Sequence, residues 1–363
     1  MSSPPPPPAR REGGRVLVTG LPEGSEFGID CQTWRVGPRF GGLRGVPAGV
    51  HFVHCGLPRT GVFVVLGPGE AVLLRWDEAE ARLGPPGPAP APTPAPTPTL
   101  APYPRGRRRR WAALSALVDR RAVERLQPSS RTVLAQAEVL PVLALPTPAD
   151  RARALPPAPA PACRSYREGL RRLPALRPGP GTRLRFTPLP RRLCPHGAHP
   201  AEVTRNALDR TSALRDVLRR RYPHCPGDLL AELQFAFICF LIGHVYDAFE
   251  HWKELLDLLC RSEVAMTEMP DFYSTLITVL YHQLNEVPPD FFVDIVSQDN
   301  FLTTTLQVFF SYIGSPTVDR ALRRKAEKFK VHLTKKFKWD FEEEPEDCAP
   351  VVVELPEGVV IPD

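Results

Sequence analysis

The sequence predicts an α+β fold: a β-rich, sandwich-like N-terminal domain, a C-terminal all-α helical array, and an extended C-terminal tail. Three observations lead there. Residues 14–76 hold short apolar runs broken by Gly and Pro, the pattern of short strands joined by turns. From residue 200 onward, apolar residues recur three or four apart, as on the packed face of a helix. The last 25 residues are acidic and Pro-punctuated around one short β-prone run.

Composition sets the outer bounds. A chain of 363 residues suggests roughly two domains at about 100–200 residues each. Proline is abundant, at 45 residues. It concentrates in the first 13 residues, read as a disordered tail, and in a Pro/Ala-rich insertion at 84–104 that favours extended polyproline II conformations. Residues 1–200 carry 29 Arg, no Lys and 13 acids, whereas residues 201–363 carry 17 basic and 27 acidic residues. The net +6 is therefore not the mark of a single nucleic-acid-binding surface. The eight cysteines show no CxxC spacing, and several fall on apolar faces, which fits reduced, buried thiols in an intracellular compartment. The start shows no secretory pattern, and the strongest apolar run, Leu233–Gly243, is too short to span a bilayer.

In chain order, Arg15–Val18 is a first strand ended by Thr19–Gly24, and Val50–Cys55 is another. Val62–Leu66 and Ala71–Arg75 flank Gly67-Pro68-Gly69-Glu70, a hairpin signal. Trp34 and Trp76 are expected core anchors. The N-terminal domain is placed at 14–190, with helices within 111–145. Leu114, Leu117 and Val118 suggest a helix over Trp111–Leu126; Val133–Leu145 is ambiguous, and Thr182–Phe186 offers a short strand. The helical domain is placed at 200–338. Its helices are expected at Ala201–Arg221, Pro226–Gly243, Ala248–Cys260, Phe272–Leu284, Phe291–Val296 and Phe301–Tyr312, with a last one capped by Ser315-Pro316 and running to Phe337.

The residues that could carry catalysis are few. The sequence has no GxxxxGK[ST], GxSxG or HExxH motif. Asp290 and Asp294 are four apart but are better explained as acids at a helix start. Cys194, His196 and His199 form a metal-capable trio without a nearby fourth ligand. No enzyme activity, cofactor, metal, membrane or small-molecule substrate is expected. Arg105–Arg110 holds five arginines and can be read as a phosphate-binding patch or nuclear import signal, or as the solvated start of the Trp111 helix, which is preferred. Direct RNA contact through it is the alternative reading.

Surface recognition is the remaining chemistry. Residues 339–363 form an acidic tail: from Asp340 there are nine acids and no base. Within it Val351, Val352, Val353, Glu354 and Leu355 favour a strand, and Pro356-Glu357-Gly358 fits a turn. A lone strand must pair with a sheet edge, and strand addition is an established mode of peptide recognition. Leu355-Pro356-Glu357-Gly358 also echoes Leu21-Pro22-Glu23-Gly24.

Several motifs resemble one family. Glu26-Phe27-Gly28-Ile29-Asp30 and Trp34-x-Val36-Gly37-Pro38-x-Phe40 look like the N-terminal signature of the eukaryotic cistron-splicing factor family Aar-two. Leu233–Phe237, Ala248–Lys253, Phe291–Val296 and Pro345–Val353 are similar to its helical domain and tail. The resemblance implies a helical domain like VHS-type superhelices. It also implies a non-enzymatic assembly chaperone of the U5 snRNP, in cytoplasm and nucleus. Such a chaperone binds the large spliceosomal scaffold protein through its RNase H-like and Jab/MPN-like domains and keeps the activating helicase off. The tail strand Val351–Leu355 matches the segment that the family inserts between scaffold domains. Release by phosphorylation is part of the same expectation, with Ser297 and Ser315 as candidates. The chain departs from the pattern at Pro4–Pro8, between Cys55 and Gly61, and at Pro85–Pro98.

Overall fold

A computed structural model of the protein describes residues 13–89, 99–135, 181–190, 199–288 and 301–341. The chain divides into two compact units, one of residues 1–187 with Ala231–Trp252, the other of Pro188–Leu230 with Lys253–Asp363.

The first unit is built on two sheets. One is five-stranded: β2 (Glu26–Ile29), β3 (Gln32–Arg35), β5 (Gly49–Cys55), β6 (Thr60–Leu66) and β11 (Val133–Leu134), in the order β11-β6-β5-β2-β3, all antiparallel. The other contains β1 (Gly14–Thr19), β4 (Phe40–Val46), β7 (Ala71–Asp77), β8 (Arg82–Leu83), β9 (Gly87–Pro88) and β10 (Thr99–Pro102), in the order β10-β4-β1-β7-β8, with β9 also on β7. Its β1–β7 and β10–β4 pairs are parallel.

The expected hairpin across Gly67–Glu70 is therefore a crossing between sheets. Both edges of β6 are already taken by β5 and β11, and β7 lies beside β1 with Val16 opposite Val72. Burial gives the reason. Nearly all of β6 is buried, because one of its faces meets the other sheet and the opposite face meets helices. Val62, Val64 and Leu66 join Val16, Leu43 and Leu74 in the core between the sheets. Phe63 joins Val50 and Phe52 on the opposite face. There they meet Trp111 of α1 (Arg108–Leu114), Val123 and Leu126 of α2 (Arg120–Leu126), and Phe235 and Ile238. Phe235 stacks on Phe63 with centroids 4.5 Å apart. The expected single helix over Trp111–Leu126 is thus two, divided by Asp119, whose carboxylate accepts from Ala122 N at 2.8 Å as an N-cap. Thr182–Phe186 is not a strand: it begins with a turn and a bend at Thr182 and Arg183, and the Arg185 amide is bonded to the end of α2 at Leu126 O.

The second unit is helical. It holds α3 (Pro200–Leu208), α4 (Thr211–Arg221), α7 (Glu263–Glu268), α8 (Pro270–Glu286), α9 (Phe301–Ile313) and α10 (Arg320–Phe337). Two helices, α5 (Gly227–Leu241) and α6 (Tyr246–Cys260), contribute to both units. The expected helix over Ala201–Arg221 breaks at Asp209, which accepts from the amide and hydroxyl of Thr211. The last helix does not start at Ser315-Pro316. Residues 315–318 form a turn, and Asp319 caps Ala321 N and Leu322 N. α10 packs on α8 and α9, and α7 packs on α4, α8 and α9. Phe291–Val296 lies outside the described residues.

Candidate functional site

The motif residues of the sequence gather in buried polar joints of the first unit. Asp30 follows β2 with a positive φ of 56°, a conformation that Asp tolerates better than most residues. Its carboxylate accepts from His51 Nδ1 at 2.8 Å, Tyr103 OH at 2.7 Å and Phe52 N at 3.0 Å. The other ring nitrogen, His51 Nε2, donates to Pro47 O at 2.8 Å. Burial and the Asp30 charge push the Tyr103 phenol well above its ordinary range.

The rest of Glu26–Asp30 is accounted for in the same way. Phe27 and Ile29 are core residues, and Phe27 packs with Trp34 and Phe40. Gly28 lies against the His54 ring; a Cβ there would sit 2.3 Å from His54 Cε1. Glu26 accepts from Arg59 Nη2 at 2.6 Å. Arg59 Nη1 donates to Ile242 O at 3.0 Å and to His244 Nε2 at 3.1 Å. Burial first, and the Arg59 guanidinium next, push His54 down to about 3. The same two causes lower His244.

A third joint centres on Glu232, which is fully buried in α5. It accepts from Thr187 N at 2.7 Å, Thr187 Oγ1 at 2.9 Å and His251 Nε2 at 2.8 Å. The His251 ring stacks on Phe186, 4.2 Å between centroids. Two residues along, Gln234 accepts from Leu117 N at 2.8 Å and donates to Ala113 O at 3.1 Å. The motifs Leu233–Phe237 and Ala248–Lys253 thus include residues that fasten Ala231–Trp252 within this unit.

The Asp30 and Glu232 carboxylates are held by backbone and side-chain donors, whereas both ring nitrogens of buried His54 and the Arg59 Nε have no hydrogen-bond partner among the described residues. Among the thiols, burial pushes Cys55 and Cys260 up to about 12 and Cys239 well above its ordinary value. Among the described residues no cluster of His, Cys, Asp and Glu could hold a metal ion, and no helix is long and apolar enough to cross a membrane. Cys194 and His196 lie outside the described residues, as do Asp290 and Asp294; His199 is exposed.

The Arg105–Arg110 run forms one 3-10 turn, Arg105–Arg107, and then the start of α1. Arg105, Arg107, Arg108 and Arg109 are exposed. Trp111, next in sequence, is buried and donates from Nε1 to Val50 O at 2.8 Å. Ser315 is half-buried with its hydroxyl bonded to Thr317, and Ser297 lies outside the described residues. The tail strand Val351–Leu355 lies outside them too; the described chain ends at Phe341. Sequence reasoning missed the roles of Arg59, His51, Tyr103 and Glu232, whose side-chain partners are 19 to 185 residues away.

A model of the AAR2 N-terminal domain matches residues 12–128, and a model of the AAR2 C-terminal repeat region matches residues 186–342. The chain is 49% identical to a human protein described as "Protein AAR2 homolog" over 365 residues, which covers 96% of this chain and 95% of the relative. It is 50% identical to the mouse protein of that description over 365 residues, with the same coverage. A Caenorhabditis elegans protein of that description is 34% identical over 359 residues, covering 91% of this chain and 95% of the relative.

Proposed function

This chain belongs to the AAR2 family of splicing-related proteins, and we propose that it is a non-enzymatic assembly chaperone of the U5 snRNP. In this reading it binds the large spliceosomal scaffold protein through that protein's RNase H-like and Jab/MPN-like domains. It delays the activating helicase, and it works in the cytoplasm with a nuclear presence. The observation that carries the reading is the collinear relationship across both units, 49% identity over 96% of the chain.

The joints support a binding role by elimination. Asp30, Arg59 and Glu232 are the described side chains best placed for chemistry, and each is committed to internal hydrogen bonds. Surfaces and the acidic tail are left to meet a partner. In this proposal Val351–Leu355 adds as a strand to a sheet edge of the scaffold, where main-chain hydrogen bonds supply affinity and alternate side chains supply specificity.

A competition experiment tests this directly. The scaffold's RNase H-like and Jab/MPN-like fragment is saturated with the full chain, and the helicase is then titrated in. Exclusion of the helicase, relieved as the chain is diluted away, is the expected result. Simultaneous binding of both with unchanged affinities would overturn the chaperone reading.

A further inference from the structure

The second unit carries a groove that the joints above do not use. It lies between α8 and α10, has a volume of about 210 Å³, and is lined by Ile277, Thr278, Tyr281, Lys325, Lys328 and Phe329. Ile277 and Phe329 are buried beneath it, while Tyr281 is 38% exposed. Lys325 is held at the rim by Ser274 and Thr278, its Nζ 2.6 Å from Ser274 O and 2.7 Å from Thr278 Oγ1. Lys328 is exposed and pairs with no carboxylate among the described residues. The helix that forms this wall carries eight basic residues and one acid, Glu327.

The chain leaves α10 in a direction that matters. Lys338 takes a left-handed conformation, φ 62°, and its amide returns to Thr334 O. Trp339 then stacks on Phe337 at 4.3 Å, and Phe341 is buried against Phe310 at 5.0 Å. Phe310 in turn touches Phe329 at 5.9 Å, and Phe329 lines the groove. The last described residue is therefore one ring away from a groove residue. Phe329 lies eight residues before the helix end, about 12 Å along the axis at 1.5 Å per residue. Nine residues lie between Phe341 and Val351, so the ten steps between them reach up to about 35 Å.

We propose that the groove between α8 and α10 holds this chain's own tail when no partner is bound, with Val351, Val353 and Leu355 on the apolar floor and the acids of 342–354 against the lysine rim. Three observations favour this occupant over others. The tail has acids without bases and α10 has the opposite balance, so opposite charges are tethered side by side. After the left-handed residue Lys338 the chain packs back onto the helical unit, with Phe341 against Phe310, whose neighbour Phe329 lines the groove. Residues 351, 353 and 355 share one face of an extended segment, which suits a narrow apolar groove. The inference goes beyond the proposed function and holds whether or not the tail later joins a scaffold. If both hold, groove and scaffold compete for one segment.

Carbodiimide cross-linking of the full chain, read by mass spectrometry, is the test. An equal mixture of nitrogen-15-labelled and unlabelled chains is used to separate links within one chain from links between copies. Links from Lys328 to acids of 342–354 are expected within single chains. They should drop at least about fivefold in Val353→Asp, a tail change that leaves the helical core intact, and in Tyr281→Ser. Absent Lys328 links, links joining heavy and light chains, or links undiminished in Val353→Asp would each overturn the inference. The last would show charge attraction without docking.

Discussion

Asp30 and His51 close on each other inside the first unit, Oδ2 to Nδ1 at 2.8 Å, with both side chains at most 3% exposed. The pair fixes the end of β2 against β5, and Tyr103 arrives at the same carboxylate from after β10. Asp30→Ala would leave three buried donors without their acceptor. Removing one partner of such a pair costs about 3–5 kcal/mol, whereas Tyr103→Phe, which deletes one hydrogen bond, costs about 1 kcal/mol. Urea unfolding of the two variants should show this order.

His54 makes stability depend on pH in a known direction. Folded, it stays neutral down to about 3; unfolded, it takes a proton near its ordinary 6.5. The unfolded state therefore binds more protons between these values, and stability falls as pH falls from 6.5 toward 3. The slope contributed is up to about 1.4 kcal/mol per pH unit. In His54→Gln the midpoint of urea unfolding should vary less steeply across that window than in the wild type. An equal slope would assign the pH dependence to other groups.

Glu232 should be intolerant of truncation. Its two oxygens hold the amide and hydroxyl of Thr187 and the ring of His251. Glu232→Ala is expected to destabilise the first unit by about 3–5 kcal/mol. Limited proteolysis should then cut faster near Thr187, where the lost bonds anchored the backbone. Unchanged cleavage would mean that Phe186 stacking alone secures the segment.

Periodicity made the two-part α+β organisation legible, since strands with Gly and Pro breaks precede helices with three- and four-residue spacing. It failed at particular boundaries. Asp119, Asp209 and Asp319 each cap or organise a helix start, and each was overrun or missed because apolar spacing continues across it. An aspartate just before a resumed apolar pattern is the signal that would have found them. The short helix Glu263–Glu268 was missed as well, being too brief to show a period. The Gly67–Glu70 turn was misread because a turn between two apolar runs looks the same whether they pair or enter different sheets.

The joints were legible only as motifs. Glu26, Gly28 and Asp30 stood out by resemblance, while their reasons lie in Arg59, His54 and His51, far along the chain. Side-chain partners at such separations leave no local pattern. The groove between α8 and α10 was hidden for the same reason: Tyr281 and Lys328 come together only once the helices pack.

The measurement that bears most directly on the proposed function is the affinity of the scaffold's RNase H-like and Jab/MPN-like fragment for the full chain and for a chain lacking Pro350–Asp363. A strand's worth of main-chain hydrogen bonds, each contributing about 0.5–1.5 kcal/mol, predicts at least about tenfold weaker binding of the shortened chain, with its unfolding transition unchanged. Equal affinity of the two chains would contradict the tail's role, and absence of binding by the full chain would contradict the scaffold reading altogether.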